Sequence, residues 1–465
     1  MDSGHRFFLV FSLSVAFIIF GFGAVFYAQG WRIDFKTLKP IKVGAVYVKS
    51  HPSKAQIFLD YKPIKRGFSL FDSGVLINGL FPKKYLLEIK MPGYKEWKRH
   101  VEVLPSLVSE VKYAVLVPEN SLELDNINFS TSTLSTLSSF LIGPDNNFIF
   151  LDNQNNIFYN KQIISNSKII DTKEDLSAIL TYDLKNKNYF LWDLEKSTST
   201  NLSLVLKKIS PNFTFENINF SKNYENELLL WDSKKISTFD ILKNKINIIA
   251  TSTMALTSQT SKISTTTVFS TSSLPIINAL SSKMWLVWIE YDTTKNISNL
   301  KILQRILSTQ KINLVSLPFK NEKILIKNNT LFILQSDGSL YKYDLMSQKL
   351  NSLASDVRNF YLNDDATMLL AQESNAFEIF NLKDSTDYWR FNMPDSKDII
   401  KISWFKDSRN IFLHYKDRVL FLELDDSKKE NIKVIALTNY GEYDKKTNRF
   451  YFIEQNKVKF IEFRD

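Results

Sequence analysis

Chemistry in a protein chain needs nucleophiles, acids and bases, or metal ligands at workable spacings, and this chain is poor in them. It has no Cys, which removes disulfides, thiolate metal sites and cysteine nucleophiles together. It has four His: His5, His51, His100 and His414. None pairs with another at i+4, and no HExxH occurs. His414 falls inside a run with strand character and reads as a core or surface histidine. G-x-S-x-G, P-loop, G-x-G-x-x-G and D-x-D-x-D-G patterns are missing from the sequence. Carboxylates are numerous, and two of them could meet across one face of the fold as glycoside hydrolysis requires, but spacing alone selects no pair. Asp337-Gly338 reads as a turn. The sequence therefore nominates no catalytic, cofactor-binding or metal-binding residue, and the expectation is a non-enzyme without a cofactor.

The elements that would carry any function are easier to read. The chain has 465 residues, length for two or three domains, and its hydrophobic and charged fractions of 44% and 23% suit a folded chain. Aromatics reach 14%, with 36 Phe and 19 Tyr, which leans towards β-structure. Phe7 to Ala28 carries no charge, and roughly 20 residues of helix cross a bilayer core. Arg6 precedes this run, and Tyr27 and Trp31 mark its far end, where amphipathic rings favour the interface. A cleaved signal would have an apolar stretch of about 7–15 residues and a small-x-small site. Here the run is longer and ends Phe26-Tyr27-Ala28, so residues 1–30 read as an uncleaved anchor, followed by a linker at 31–42. Arg32, Lys36, Lys39 and Lys42 on the trailing side would by a literal positive-inside count hold the bulk in the cytoplasm. Long domains, however, translocate largely regardless of charge.

Residues 43–117 read as short alternating strands (VGAVYVKS, AQIFLD, YLLEIKM, RHVEVL, VKYAVLV). Turn signals at His51-Pro52-Ser53, Lys62-Pro63, Asn78-Gly79 and Met91-Pro92-Gly93 separate them, giving a small β-sandwich. Charge is concentrated here. Residues 29–117 hold 16 Lys+Arg against 7 Asp+Glu, nine of the net +10. Beside a bilayer, such a module would attract anionic lipid or an anionic cell-wall polymer. Nucleic acid is not expected, since no nucleic-acid motif accompanies the charge.

This module resembles the PEGA domain, a small bacterial surface module. The matching residues are Ser50, Pro52, Ala55 and Asp60, then Gly79, Leu80, Pro82 and Tyr85, then Gly93, Tyr94 and Trp97. Lys83 stands where the family usually has Gly. The segment Tyr27–Phe35 is similar to the link between anchor and PEGA domain in membrane-anchored members. The resemblance implies an extracytoplasmic, envelope-associated, non-catalytic module and transfers no binding residue.

The rest of the chain repeats itself. Six segments share an aromatic or aliphatic residue, then Asp, Asn or Glu, then a large apolar residue, with the polar position at Asp193, Asp240, Asp344, Asn381, Glu423 and Glu462. Weaker matches end at Asn160 and Gln304. Successive intervals are 33, 47, 64, 40, 37, 42 and 39 residues, mostly near the 40–45 of a four-stranded propeller blade. The organisation is similar to a WD-repeat β-propeller of seven or eight blades over 121–465, with Leu122 to Phe129 available to complete the last blade. Trp192-Asp193 and Trp231-Asp232 fall at different places in their units and carry little weight. Residues 251–273, nearly all Ser, Thr and small residues, read as a flexible surface insertion. The fold class expected is mainly β: an N-terminal transmembrane helix, a small sandwich and a propeller. The function expected is an envelope-anchored binding or scaffold protein, with an unknown envelope protein as the propeller's partner. The alternatives are an envelope hydrolase or lyase acting on glycan or peptide, or an extracytoplasmic sensor.

Overall fold

The computed structural model describes residues 3–34, 38–65, 74–124, 137–143, 148–159, 162–164, 166–173, 175–221, 226–251, 263–264, 269–270, 274–282, 284–305, 312–384, 387–424, 431–438, 440–455 and 457–464. The fold is mainly β, of propeller type, with an apolar N-terminal helix and a small sandwich. The chain divides into two compact units, Met1–Ile127 with Ile399–Asp465, and Asn128–Asp398.

In the first unit, helix α1 spans Ser3–Ala28, and within it Val10–Ala28 has a mean hydropathy of 2.2 with none of it buried. A helix that is apolar all round and left unburied is long enough to cross a membrane, and it also suits a signal sequence. The chain then turns at Gly30, whose φ of +83° lies in the left-handed region that glycine enters without strain. Strands β1 (Trp31–Asp34) and β2 (Lys39–Lys42) form an antiparallel hairpin.

The sandwich follows. One sheet orders β6 (Val75–Leu80), β3 (Gly44–His51) and β9 (Val108–Val115); the other orders β5 (Lys62–Pro63), β4 (Gln56–Leu59), β7 (Lys84–Lys90) and β8 (Trp97–Glu102). Alternation on these strands sends Val46, Val48, Ile57, Leu59, Leu87, Ile89 and Trp97 into one core. Strand β6 differs from the expectation of a turn at Asn78-Gly79. Gly44 pairs with Leu80 and Ala45 with Asn78, so Gly79, at φ +75°, is the extra residue of a bulge inside a strand. A left-handed glycine serves a bulge as readily as a turn, and sequence alone does not separate the two.

The same unit holds two blades. One covers 401–436 and the other 441–462, the latter completed by β10 (Leu122–Glu123), which pairs with Lys457–Glu462. The rest of the predicted 122–129 strand, beyond Leu124, lies outside the described residues. The second unit holds six more sheets of this kind, within 137–164, 167–201, 217–251, 276–318, 321–354 and 359–392, which makes eight among the described residues. Successive sheets bury each other's faces, as Ala178 and Leu180 do against Leu228, Leu230 and Phe239. Second strands are therefore apolar on both faces, as in the fully buried Met368–Gln372 and Asn410–His414. An unpredicted helix, α2 (Leu202–Ile209), is N-capped by Asn201, whose side chain accepts from Leu204 N. Within the Ser/Thr-rich insertion, Ile263–Ser264 and Phe269–Ser270 pair in parallel with Lys245–Thr251. The rest of that insertion lies outside the described residues.

Candidate functional site

The repeated acidic position turns out to be the end of the third strand in its blade, and in four blades it serves a turn. Asp193 Oδ1 accepts from Lys196 N, Asp240 Oδ1 from Lys243 N, Asp344 Oδ1 from Ser347 N and Asn381 Oδ1 from Lys383 N. Asp183, Asp292 and Asp444 cap other hairpins in the same way. Six of these turns share a further feature: the residue four places after the Asp has φ between 50 and 57° (Lys187, Ser197, Asn244, Asn296, Gln348, Asn448). The Asp183 and Asp344 carboxylates sit below the usual range because they accept hydrogen bonds, from Asn186 N and Nδ2 at Asp183 and from Ser347 N and Oγ at Asp344. The periodic acids are therefore turn caps, and their chemistry is local.

Two repeats depart from this, and one departure is informative. Glu462 is held by Arg449 Nε and Nη2 at 2.9 and 2.7 Å. Glu423 is 2% exposed and accepts from Trp97 Nε1 at 2.8 Å and from Arg99 Nη1 at 3.3 Å, both residues on β8 of the sandwich. Around it, Lys98 N donates to Asn431 Oδ1 at 3.1 Å, Asn410 Nδ2 to Tyr113 O at 3.1 Å, and Lys95 Nζ to Val434 O. Val115 and Val117 enter the aromatic core of the two blades with Phe412, Phe421, Phe450 and Phe463. The joint after the sandwich is pinned too, with Glu119 N donating to Gly93 O at 2.9 Å. Sandwich and terminal blades thus share one interface of apolar side chains around a buried carboxylate.

A cavity of about 630 Å³ opens between the β1–β2 hairpin and the sandwich. Ile41, Leu59, Ile77, Leu80 and Phe81 make its apolar wall, and Asp34, Lys62, Asp60 and Lys83 are its charges. The Asp60-Tyr61 turn between β4 and β5 has both residues left-handed, at φ 47 and 64°. That turn aims the Asp60 carboxylate at Lys83 Nζ, 2.7 Å away, and at Leu86 N, 3.0 Å away. The Lys83 hydrogen bond, then that of Leu86, pulls the Asp60 carboxyl below its usual range. Lys83 is not left-handed, so its position in this backbone does not call for a glycine.

Between helix and sandwich lies a cationic and aromatic collar. Arg32 Nη1 donates to Tyr27 O at 2.9 Å, closing the last turn of α1, and its guanidinium lies 3.4 Å from the Tyr27 ring centre. Trp31 stacks on Phe26 at 5.1 Å, and Lys42 Nζ lies 5.3 Å from the Trp31 ring.

His414 is 2% exposed beside Phe450, and burial, then the Lys401 charge, lowers it to about 3, so it is neutral. Among the described residues no group of three or more His, Asp or Glu is arranged to hold a metal. Carboxylate pairs do meet: Glu88 and Glu96 share Lys90, while Glu373 and Glu378 share Arg390, with Tyr388 donating to Glu378 Oε1 at 2.7 Å. Burial and then the Glu378 charge raise Glu373, while Arg390 opposes the rise; Tyr388 goes up to about 12 by burial and then the bond to Glu378.

No family model and no curated protein matches the chain. Solved structures similar to it include the computationally designed Ika8 protein, at 9% identity over 70% of this chain and 96% of that one, with a TM-score of 0.44. An oligogalacturonate lyase in complex with manganese matches at 9% identity over 71% and 97%, TM-score 0.42, and Kluyveromyces lactis Hsv2 at 10% over 64% and 98%, TM-score 0.39.

Proposed function

We propose that the chain is a membrane-anchored, non-catalytic binding or scaffold protein of the cell envelope, with its bulk outside the cytoplasm. The observation that carries this is the pairing of an unburied apolar helix with the Tyr27, Trp31, Arg32 and Lys42 collar at its end. Rings and cations at that place suit a membrane–water interface, and a cleaved signal would have no use for them. The sandwich is read as PEGA-like because the matched residues do structural work in it: Ala55 and Trp97 are core, Gly79 makes the bulge, and Ser50 Oγ donates to Pro52 O at 3.1 Å. A carboxylate buried under Trp97 and Arg99 favours a rigid mount, through which the sandwich would hold the terminal blades near the membrane as a docking platform.

Two measurements on the full chain test this. Alkaline extraction should leave it in the membrane pellet, and protease added to intact spheroplasts should digest the repeat region. Release into the supernatant rejects the anchor, and protection until lysis rejects the orientation. Cosedimentation of the detergent-purified chain with purified anionic wall polymer or phosphatidylglycerol vesicles tests the basic module. Binding should fade as salt shortens the Debye length from about 10 Å to about 3 Å.

A further inference from the structure

The sandwich has an exposed apolar loop at an unusual place. Residues 104–108 read Leu-Pro-Ser-Leu-Val and are all exposed, with Leu104 at 47%, Leu107 at 56% and Val108 at 51%. A hydrophobic run in the open usually marks a contact. The loop is also held in shape. Val103 N donates to Lys83 O, Ser106 N to Val43 O at 3.0 Å, and Ala45 N to Leu107 O at 3.0 Å. Gly44 is the residue it wraps: a Cβ there would lie 2.3 Å from Leu104 O and 2.9 Å from Leu107 O. This backbone packing makes the loop a built feature, with its leucines turned outward because the inside is full.

Its position says what it would meet. Val43 N donates to Gly30 O at 2.9 Å, and Gly30 lies two residues past the end of α1. Two hydrogen bonds therefore connect Ser106 to the segment leaving the helix, placing the loop within roughly 10 Å of the helix end, the scale of the headgroup layer on each side of a bilayer core. Trp31, Arg32 and Lys42 lie on the adjoining hairpin. Along the chain the acidic groups nearest the loop are Glu102 and Glu110, Glu110 being paired with Lys112, and Asp34 ends the adjoining strand opposite Lys39. The apolar stretch between Glu102 and Glu110 is flanked by cations on the helix side, the pattern of a surface that meets an anionic headgroup layer over hydrocarbon.

We propose that residues 104–108 are a second membrane contact, a short apolar loop seated in the interfacial layer of the bilayer that the helix crosses, next to anionic phospholipid headgroups. The inference rests on the anchor reading above and adds to it: helix and loop together fix the tilt of the sandwich on the membrane, which a single helix ending in a glycine turn leaves free.

The chain's lack of Cys allows a direct test. Leu107→Cys, and separately Leu104→Cys in case one variant fails to fold, is labelled with an environment-sensitive fluorophore in the full chain, reconstituted in phosphatidylglycerol–phosphatidylcholine vesicles. Phe17→Cys, in the middle of α1, and Leu242→Cys, an exposed repeat-region leucine, are labelled alike. Shallow doxyl-lipid should quench the loop label several-fold more than the Leu242 label, and aqueous iodide several-fold less. A loop label that behaves like Leu242 while the Phe17 label is lipid-quenched overturns the inference and leaves the anchor standing. A Phe17 label open to iodide overturns both.

Discussion

Glu423 offers the sharpest test of how the sandwich is mounted. Replacing it with Ala takes the acceptor from the buried Trp97 Nε1 and a carboxylate from Arg99, whose side chain is 24% exposed. Breaking a buried ion pair costs about 3–5 kcal/mol, and the partial exposure of Arg99 places this case at the lower end, near 3 kcal/mol. Glu423→Gln keeps an oxygen for the indole and loses only the charge, so about 1 kcal/mol is expected. For a unit of this size each kcal/mol moves the melting temperature by about 2–4 °C. Calorimetry should show the first variant melting roughly 6–12 °C lower and the second roughly 2–4 °C lower. A double-mutant cycle with Trp97→Phe isolates the contact, with an expected coupling of about 1.5–3 kcal/mol. Additivity within about 0.5 kcal/mol, or an Ala variant that melts with the wild type, would refute the idea that this carboxylate joins sandwich to blade.

The repeat turns make further predictions. Lys187 is held at φ 54°, so Lys187→Gly should stabilise by about 0.5–1 kcal/mol in urea melts, the left-handed strain relieved less the added unfolded-state entropy. Asp344→Ala, which uncaps Met346 N and Ser347 N, should destabilise by about 1 kcal/mol. The capping carboxylates of Asp183 and Asp344 have folded pKa values below the ordinary 3.8, so their contribution is whole above pH 4 and is lost as pH falls through the folded values. His414, lowered from 6.5 to about 3, adds a loss that begins earlier, as pH drops below 6.5; His414→Phe melts should therefore vary less between pH 6.5 and 3 than wild-type melts. Lys323, lowered by burial from 10.5 to about 8, donates to Asn359 Oδ1 and Phe360 O. Its buried charge is a penalty below pH 8 that is relieved by pH 10.5, so wild type should gain stability over that range relative to Lys323→Met.

Much of the architecture was legible because it is periodic. The repeat positions Asp193, Asp240, Asp344, Asn381, Glu423 and Glu462 each end the third strand of a blade, and four of them cap the turn that follows, so their spacing along the chain follows the blades. The apolar run ending at Ala28 declared a helix able to cross a membrane, because length and the lack of charge are properties of sequence alone. Alternation and turn residues outlined the longer sandwich strands, and missed the short β5, at the Lys62-Pro63 read as a turn, and β6, where a left-handed glycine serves a bulge and reads like a turn.

How these pieces join was decided by contacts between residues far apart in sequence. Glu423 occupies a repeat position that looks like any other cap, and only its neighbours show that it reaches Trp97 and Arg99, more than three hundred residues earlier. Leu104 reads as an ordinary strand end and Leu107 as part of a connection until Val43 ties their loop to Gly30 and so to the helix end. Asp60 and Lys83 become a pair only through a turn that crosses from one strand to another. Local propensity and period belong to a stretch of a few residues and can be read along the chain. Burial, pairing of charges and the place of an exposed patch depend on which surfaces meet, and that is decided by packing across the whole fold.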